Sequence, residues 1–271
     1  MGPLLTLGVV TEMRAARGAG RASLVCSFDL DRSTESIELG PSDWGFRGLR
    51  FPYPERIRER TIYHWNGAEF APAARYSGAL VKLGPTEWGA PTFEIDGLKM
   101  LPTARVSPYE DANRKVGLIE PRAKTILDTC GGLGYFAAWC LAGGALKILS
   151  YEKNPDVLWL RALNPWSPAA DARLALVAAD AVAAIAALED QSVDAVLHDP
   201  PRFGIAGELY SQGFYEQLAR VLRRRGRLFH YTGTPNKLTS GRDVPREVAT
   251  RLERAGFATM PRGDGILAVL R

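Results

Sequence analysis

Four acidic residues stand at the same kind of place in the second half of the chain. Asp128, Glu152, Asp180 and Asp199 each close a short apolar run: "KTILD", "LKILSYE", "ARLALVAAD" and "SVDAVLHD". Carboxylates accept hydrogen bonds from the hydroxyl and amino groups of a polar ligand. After the first acid comes "TCGGLGY", whose Gly131, Gly132 and Gly134 let backbone approach such a ligand closely. Glu152 follows Asp128 by 24 positions, where an acid suits the two hydroxyls of a ribose. Asp180, at the third run, can accept from an adenine amino group. The fourth acid opens "DPPRFG". Two prolines continue neither a ladder nor a helix, so they hold the chain rigid. Rigidity fixes the Asp199 carboxylate and the Pro200 carbonyl as acceptors that orient an amine and draw off its positive charge as it attacks. Any single strand-end acid has a plainer reading as a helix cap. Four in succession, with glycines after the first only, form a more specific pattern.

The elements that must position these residues alternate between strand and helix from Lys124 onward. "KTILD", "LKILSYE", "ARLALVAAD", "SVDAVLHD" and "GRLFHYTG" read as five strands. Between them lie helical stretches: "GYFAAWCLAGG", ending at two glycines; "NPDVLWLRALNP", with Asn154 as N-cap and Pro155 at its first position; the Ala-rich "AVAAIAALE"; and "GFYEQLARVLRRRG", capped by Ser211. A fifth helix, "VPREVATRLERAG", precedes "FATMP" and "ILAVLR", which flank the turn "RGDG" as an antiparallel pair. Such alternation predicts a Rossmann-like α/β fold, a seven-stranded mostly parallel sheet with helices on both faces. In such sheets ligands sit beyond the carboxyl ends of the strands, where the four acids fall.

Residues 1–105 have a different grammar. Short alternating runs are broken by turn signals, among them Asn66-Gly67 and Asp96-Gly97, two-residue hairpin signals. No long helical period is read there, so a small β-rich domain of antiparallel strands is expected, joined by the connector "LPTARVSPYEDANRKVGLIEPRA" to a catalytic domain over 106–271.

Composition narrows the classes. The chain has 271 residues, 46% hydrophobic and 24% charged, enough for a substantial core. Its three cysteines, Cys26, Cys130 and Cys140, are odd in number and have no zinc spacing, which points to a reducing, cytoplasmic setting. No signal-peptide pattern opens the chain, and no apolar run reaches the ~18 residues of a membrane span. The net charge of +4 is compatible with an anionic partner without requiring one.

Taken together, these motifs resemble the class I S-adenosylmethionine-dependent methyltransferases. "ILDTCGGLGYFAAWCL" looks like their first motif, "YEKN" like their ribose acid, "AADA" like their adenine-side acid and "DAVLHDPPRFG" like their fourth motif. More narrowly, the run from "HDPPRFG" to "RGRLFHYTG" resembles an archaeal-type family of predicted methyltransferases. The resemblance covers about 105 to 271. It implies S-adenosyl-L-methionine as cofactor, with Asp128, Cys130, Gly131, Gly132 and Gly134 around its methionine part, Glu152 and Lys153 at the ribose, and Asp180 and Ala181 near adenine. Asp199 would face the cofactor too, and with Pro200, Arg202 and Tyr231 it would border the acceptor. The chain departs from the pattern twice: Cys130 stands where a glycine is usual, and Arg202 stands where N-methyltransferases of planar amines carry an aromatic, with Phe203 one later. No second cysteine accompanies the fourth motif, which argues against a cysteine adduct.

His198 should point opposite to Asp199, because strand residues alternate, and is read as structural. Of His230 and Tyr231 only one can face the acceptor. Two histidines make a poor metal site, and no metal is expected. The arginines of "RVLRRRGR" read as a solvated helix end; "RGLRFPYPERIRER", with Phe51 and Tyr53 among arginines, is the better candidate for nucleic acid. The leading expectation is methyl transfer to an amine of RNA, with a protein side chain or small amine as other acceptors, and a homo-oligomer through the β-rich domain. A spermidine-synthase-like aminopropyltransferase is the enzyme alternative, since that family shares the small β domain and the sheet; a non-catalytic RNA-binding protein is the second.

Overall fold

A computed structural model describes residues 2–233 and 243–271. The chain divides into two compact units, Met1–Asp111 with Trp159–Ser167, and Ala112–Leu158 with Pro168–Arg271.

The first unit is built of short antiparallel strands: β1 (Leu4–Leu5), β2 (Ser23–Cys26), β3 (Glu35–Leu39), β4 (Asp43–Phe46), β5 (Leu49–Pro52), β6 (Tyr63–Trp65), β7 (Phe70–Pro72), β8 (Ala74–Tyr76), β9 (Leu80–Gly84), β10 (Thr92–Ile95) and β11 (Leu98–Lys99). They form sheets β2-β3-β4-β5, β1-β6-β7 and β11-β10-β9-β8. An aromatic core holds the first of these. Trp44 stacks on Phe28 at 4.9 Å, with Phe46 and Phe51 packed around it. Asp96-Gly97 makes the expected two-residue turn: Ile95 pairs with Leu98, and both turn residues have positive φ. Asn66-Gly67 does not, because Trp65 pairs with Phe70 and the loop has four residues. The Asn66 side chain accepts from the Ala68 and Glu69 amides and closes it. The unit also contains a helix that the sequence reading lacks, α1 (Leu7–Gly18). Its buried stripe is only Val10, Met13 and Ala16, too narrow to stand out as a period, and Thr6 caps it.

The second unit carries β12 (Thr125–Asp128), β13 (Lys147–Tyr151), β14 (Leu174–Val177), β15 (Val193–His198), β16 (Leu222–Tyr231), β17 (Phe257–Arg262) and β18 (Gly265–Leu270) in the order β14-β13-β12-β15-β16-β18-β17. Pairings are parallel from β14 to β16 and antiparallel at β18 and β17. This is the seven-stranded, mostly parallel sheet expected. The helices from here on are α2 (Pro108–Ile119), α3 (Tyr135–Ala142), α4 (Pro155–Leu163), α5 (Ala181–Ala184), α6 (Gln212–Val221) and α7 (Val244–Arg254), of which α2 from Ala112 and α4 up to Leu158 belong to this unit. The sheet face bearing Leu127, Val196 and Leu228 is covered by Ile185, Phe214, Leu218, Val248 and Leu252. The Ala-rich helix is shorter than read, giving way to a 3-10 turn at Ile185–Ala187.

Two readings change. The connector holds α2, whose start Ser107-Pro108-Tyr109-Glu110-Asp111 carries the signals of a helix N-terminus: Ser107 Oγ accepts from the Tyr109 amide, Pro108 opens the helix and two acids occupy the first turn. The run of arginines is not a helix end. α6 stops at Val221 and β16 begins at once, with Val193 opposite Leu222 but Ala195 opposite Arg227. The intervening residues bulge out through Arg225 at φ 63°. Arg220, Arg223 and Arg227 are used within the unit, against Asp190, Asp194 and Glu120.

The hinge of the closing hairpin is tightly packed. A Cβ on Gly265 would lie 2.4 Å from the His230 carbonyl oxygen and 2.6 Å from the Phe229 ring, neither of which can yield. Gly265→Ala is expected to cost about 1–3 kcal/mol, read as a lowered midpoint in urea unfolding with unchanged slope.

Candidate active site

The parallel register sets the site. Asp128 lies beside Ser150 of β13 and Leu197 of β15, so the carboxyl ends of these strands fall on one edge. Asp128 ends β12 and is buried, with Ser150 Oγ donating to it at 2.8 Å. Glu152 follows β13. Its carboxylate accepts from the Gly132 amide at 3.0 Å and the Asn154 amide at 2.8 Å. The acid is thereby fixed against the glycine turn from which α3 starts. That turn has Gly132 at φ 47° and Gly134 at φ 83°, conformations that favour glycine, and the Gly131 amide bonds the Tyr151 carbonyl at 2.7 Å. Cys130 sits in the same turn, where burial pushes its thiol well above the usual value and disfavours the thiolate. Asp180 follows β14 and caps α5, accepting from the Val182 amide at 2.8 Å, with Ala181 buried behind it. Its other oxygen takes Lys153 Nζ at 3.2 Å, and Glu208 lies 3.5 Å from the same ammonium. Partial burial works to raise the Asp180 carboxyl, but the Val182 amide and Lys153 hold it below its usual value. The helix-cap reading therefore applies to Asp180, although a carboxylate offers about four acceptor positions and the Val182, Ala183 and Lys153 partners do not fill them all.

Alternation along β15 and β16 sorts the remaining residues. His198 and His230 are register partners and face the core with Val196 and Leu228. His198 Nε2 meets the Leu209 carbonyl at 3.0 Å, so it carries the proton and Nδ1 accepts from Thr129 Oγ1 at 2.7 Å. His230 Nδ1 donates to its neighbour's carbonyl at 2.8 Å, and Nε2 accepts from the Tyr215 hydroxyl at 2.9 Å. Both imidazoles are fully buried, neutral and spoken for. Asp199 and Tyr231 have the opposite parity, so Tyr231 rather than His230 shares a face with the acid.

On that face lies a residue that the sequence reading missed. Lys115 of α2 is buried, its side chain only 2% exposed. Its ammonium is 3.2 Å from Asp199 Oδ2 and 4.0 Å from the Tyr231 ring centre, with the Phe136 ring centre at 5.8 Å. The hydrogen bond of the Lys124 ammonium to the Ile119 carbonyl and that of Arg227 to the Leu118 carbonyl tie down the end of α2.

The segment after Asp199 is held as the prolines suggest. Pro200 is buried, the Tyr210 hydroxyl donates to the Pro201 carbonyl at 3.0 Å, and Phe203 meets the Tyr210 ring edge-on at 5.3 Å. Arg202 is exposed. In the first unit, Phe51 is 3% exposed and belongs to the core, so it is not a stacking platform. Arg47 and Arg50 pair with Glu35, Glu38 and Asp43. Among the described residues no cluster of three or more His, Cys, Asp or Glu could hold a metal ion, and no helix is long and apolar enough to cross a membrane.

A rim of carboxylates beside a glycine turn fits an adenosyl sulfonium: acceptors for ribose hydroxyls and an adenine amine, and negative charge for a cationic centre. Comparisons agree. Residues 155–237 match the family model described as S-adenosyl-L-methionine-dependent methyltransferase. An uncharacterised protein of Methanocaldococcus jannaschii is 40% identical over 214 residues, covering 78% of this chain and 73% of that protein. The chain belongs to that family, and it is a class I S-adenosyl-L-methionine-dependent methyltransferase. Its fold is similar to that of spermidine synthase from Thermotoga maritima, with a TM-score of 0.56 and 16% identity over 73% of this chain and 71% of that one. It is also similar to MnmC2 from Aquifex aeolicus, with a TM-score of 0.51 and 21% identity over 73% and 72%.

The buried histidines give the unit a pH signature. Burial pushes His198 down to about 4, and burial with the neighbouring His198 pushes His230 well below its usual value. In the unfolded chain both titrate near 6.5. The unfolded state therefore binds protons first as pH falls, so the stability is full above about 6.5 and is lost between there and about 4. His198 alone accounts for roughly 3 kcal/mol over that window. Thermal midpoints should be flat above pH 7 and fall toward pH 4.5, with a shallower fall in His198→Asn; equal slopes would contradict the assignment.

Proposed function

We propose that this methyltransferase transfers the methyl group of S-adenosyl-L-methionine to an uncharged, planar amine of RNA, acting in the cytoplasm. The observation that carries this reading is Asp199, held at the tip of β15 by Pro200 and Pro201 and sharing a face with the Tyr231 ring. The cofactor supplies a methyl group on a positively charged sulfur, an electrophile that needs no further activation. Asp128, Cys130 and the backbone of Gly131, Gly132 and Gly134 would hold its methionine part. Glu152, already oriented by two amides, would accept from the ribose hydroxyls, with Lys153 beside it. Asp180 and Ala181 would lie at the adenine. The Asp199 carboxylate and the Pro200 carbonyl would accept the two hydrogens of the acceptor amine, point its lone pair at the methyl group and stabilise the charge that grows on nitrogen. Tyr231 would border the base, and Arg202, exposed beside the motif, is suited to a phosphate.

RNA is favoured by the charge of the chain and by its placement. In the first unit the exposed Arg14 and Arg17 adjoin the segment around Tyr53 to Arg58: Arg14 donates to the Pro54 and Glu55 carbonyls and Arg17 lies over the Tyr53 ring. With the exposed Arg56 and Arg58 they make a basic patch. The likeness to spermidine synthase is one of fold and does not decide the group moved. Arg202 stands where a polycationic acceptor would want acids.

The test is transfer of labelled methyl to fractionated RNA, protein and small amines, followed by nucleoside mass spectrometry of the labelled fraction. A methylated base amine is expected; label confined to protein or polyamine would overturn the reading. Asp199→Ala should lower the transfer rate at least 100-fold while binding of S-adenosylhomocysteine changes less than threefold. Glu152→Ala should weaken that binding tenfold or more by calorimetry, since it removes hydrogen bonds to a charged acceptor.

A further inference from the structure

Asp199 and the Tyr231 ring make, on their own, a binding site for a cation: a carboxylate and a π-face converging on one point. In this chain that point is taken by the Lys115 ammonium, 3.2 Å from the one and 4.0 Å from the other. Lys115 is 2% exposed and comes from α2, an element outside the strand-end motifs. A buried ammonium here has two effects. It balances the charge of the carboxylate, 3.2 Å away. It also places a fixed positive charge within a few ångströms of any group that reaches Asp199, at distances where like charges in a partly desolvated site repel strongly.

We propose that Lys115 determines acceptor specificity, by occupying the cation-binding capacity of Asp199 and Tyr231 and so admitting uncharged amines while rejecting protonated ones. This rests on the assignment of Asp199 to the acceptor and refines it by charge. Exocyclic amines of nucleobases are neutral at pH 7 and can still donate to the carboxylate oxygens. Protonated alkylamines, including polyamines and lysine side chains, meet the ammonium head-on. Beside Arg202 at the surface, the buried group that shuts out an aminopropyl acceptor is thus a side chain supplied from α2.

The experiment uses the full chain saturated with S-adenosylhomocysteine and spermidine as the cationic probe, titrated by calorimetry near pH 7. Lys115→Met and Lys115→Gln remove the charge in two different ways; Lys115→Arg keeps it. Spermidine should bind Lys115→Met or Lys115→Gln at least tenfold more tightly than it binds the native protein, and Lys115→Arg should behave as native. Affinity for S-adenosylhomocysteine, measured in parallel, should stay within threefold in each variant and certifies the fold. Equal spermidine affinities in the native protein and both uncharged variants, or tighter spermidine binding in Lys115→Arg as well, would overturn the proposal. Neither result depends on whether RNA is methylated, so the two readings fail separately.

Discussion

The parallel register of four neighbouring strands is the constraint from which the site follows. Because β14, β13, β12 and β15 run in one direction, whatever closes each strand is delivered to one edge of the sheet. Asp128, Glu152, Asp180 and Asp199 close them. Their approach would be unfavourable without partners, and the fold supplies a different one to each. Ser150 serves Asp128, two amides serve Glu152, a helix start and Lys153 serve Asp180, and Lys115 serves Asp199. A row of acids that would repel one another becomes a set of oriented acceptors.

The same alternation that aligns the acids separates chemistry from support. On β15 and β16 one face carries His198 and His230, buried and locked into a polar chain with Thr129, Leu209 and Tyr215. The other carries Asp199 and Tyr231. The histidines would invite a base in a mechanism, but their hydrogen bonds are saturated and their basicity suppressed. Their bonds instead tie the ends of the two strands to Thr129, Leu209 and Tyr215. Methyl transfer from a sulfonium asks mainly for alignment, and on the reading proposed above Asp199 and Tyr231 would supply it.

Much of this was legible in the sequence because it depends on local order. The strand-end acids, the glycines after Asp128 and the prolines after Asp199 are each a matter of neighbours along the chain, and the alternation that sets His198 against Asp199 needs only counting. What was not legible depended on weak local signals or on tertiary burial. The stripe of α1 is three residues wide. The start of α2 was written in Ser107, Pro108, Glu110 and Asp111, a signal available but hidden inside what reads as a connector. Lys115 had only an indirect signal: it lies at helical spacing from Ala112 and Ile119, which are buried, but that shows only once α2 is read as a helix, and nothing names its aspartate partner 84 residues away. Within the basic aromatic segment it was Phe51 that misled, for the converse reason, since it reads as a stacking residue and is core. The arginines after Val221 misled because a bulge through Arg225 allows a strand to begin where a helix pattern had not visibly ended.

The central claim is that the carboxylates on this edge grip one adenosyl ligand. A crystal structure with S-adenosylhomocysteine tests it most directly. Both ribose hydroxyls should lie within about 3 Å of the Glu152 carboxylate, with the sulfur directed toward Asp199. An adenosine bound away from Glu152, or a sulfur turned from β15, would contradict the account.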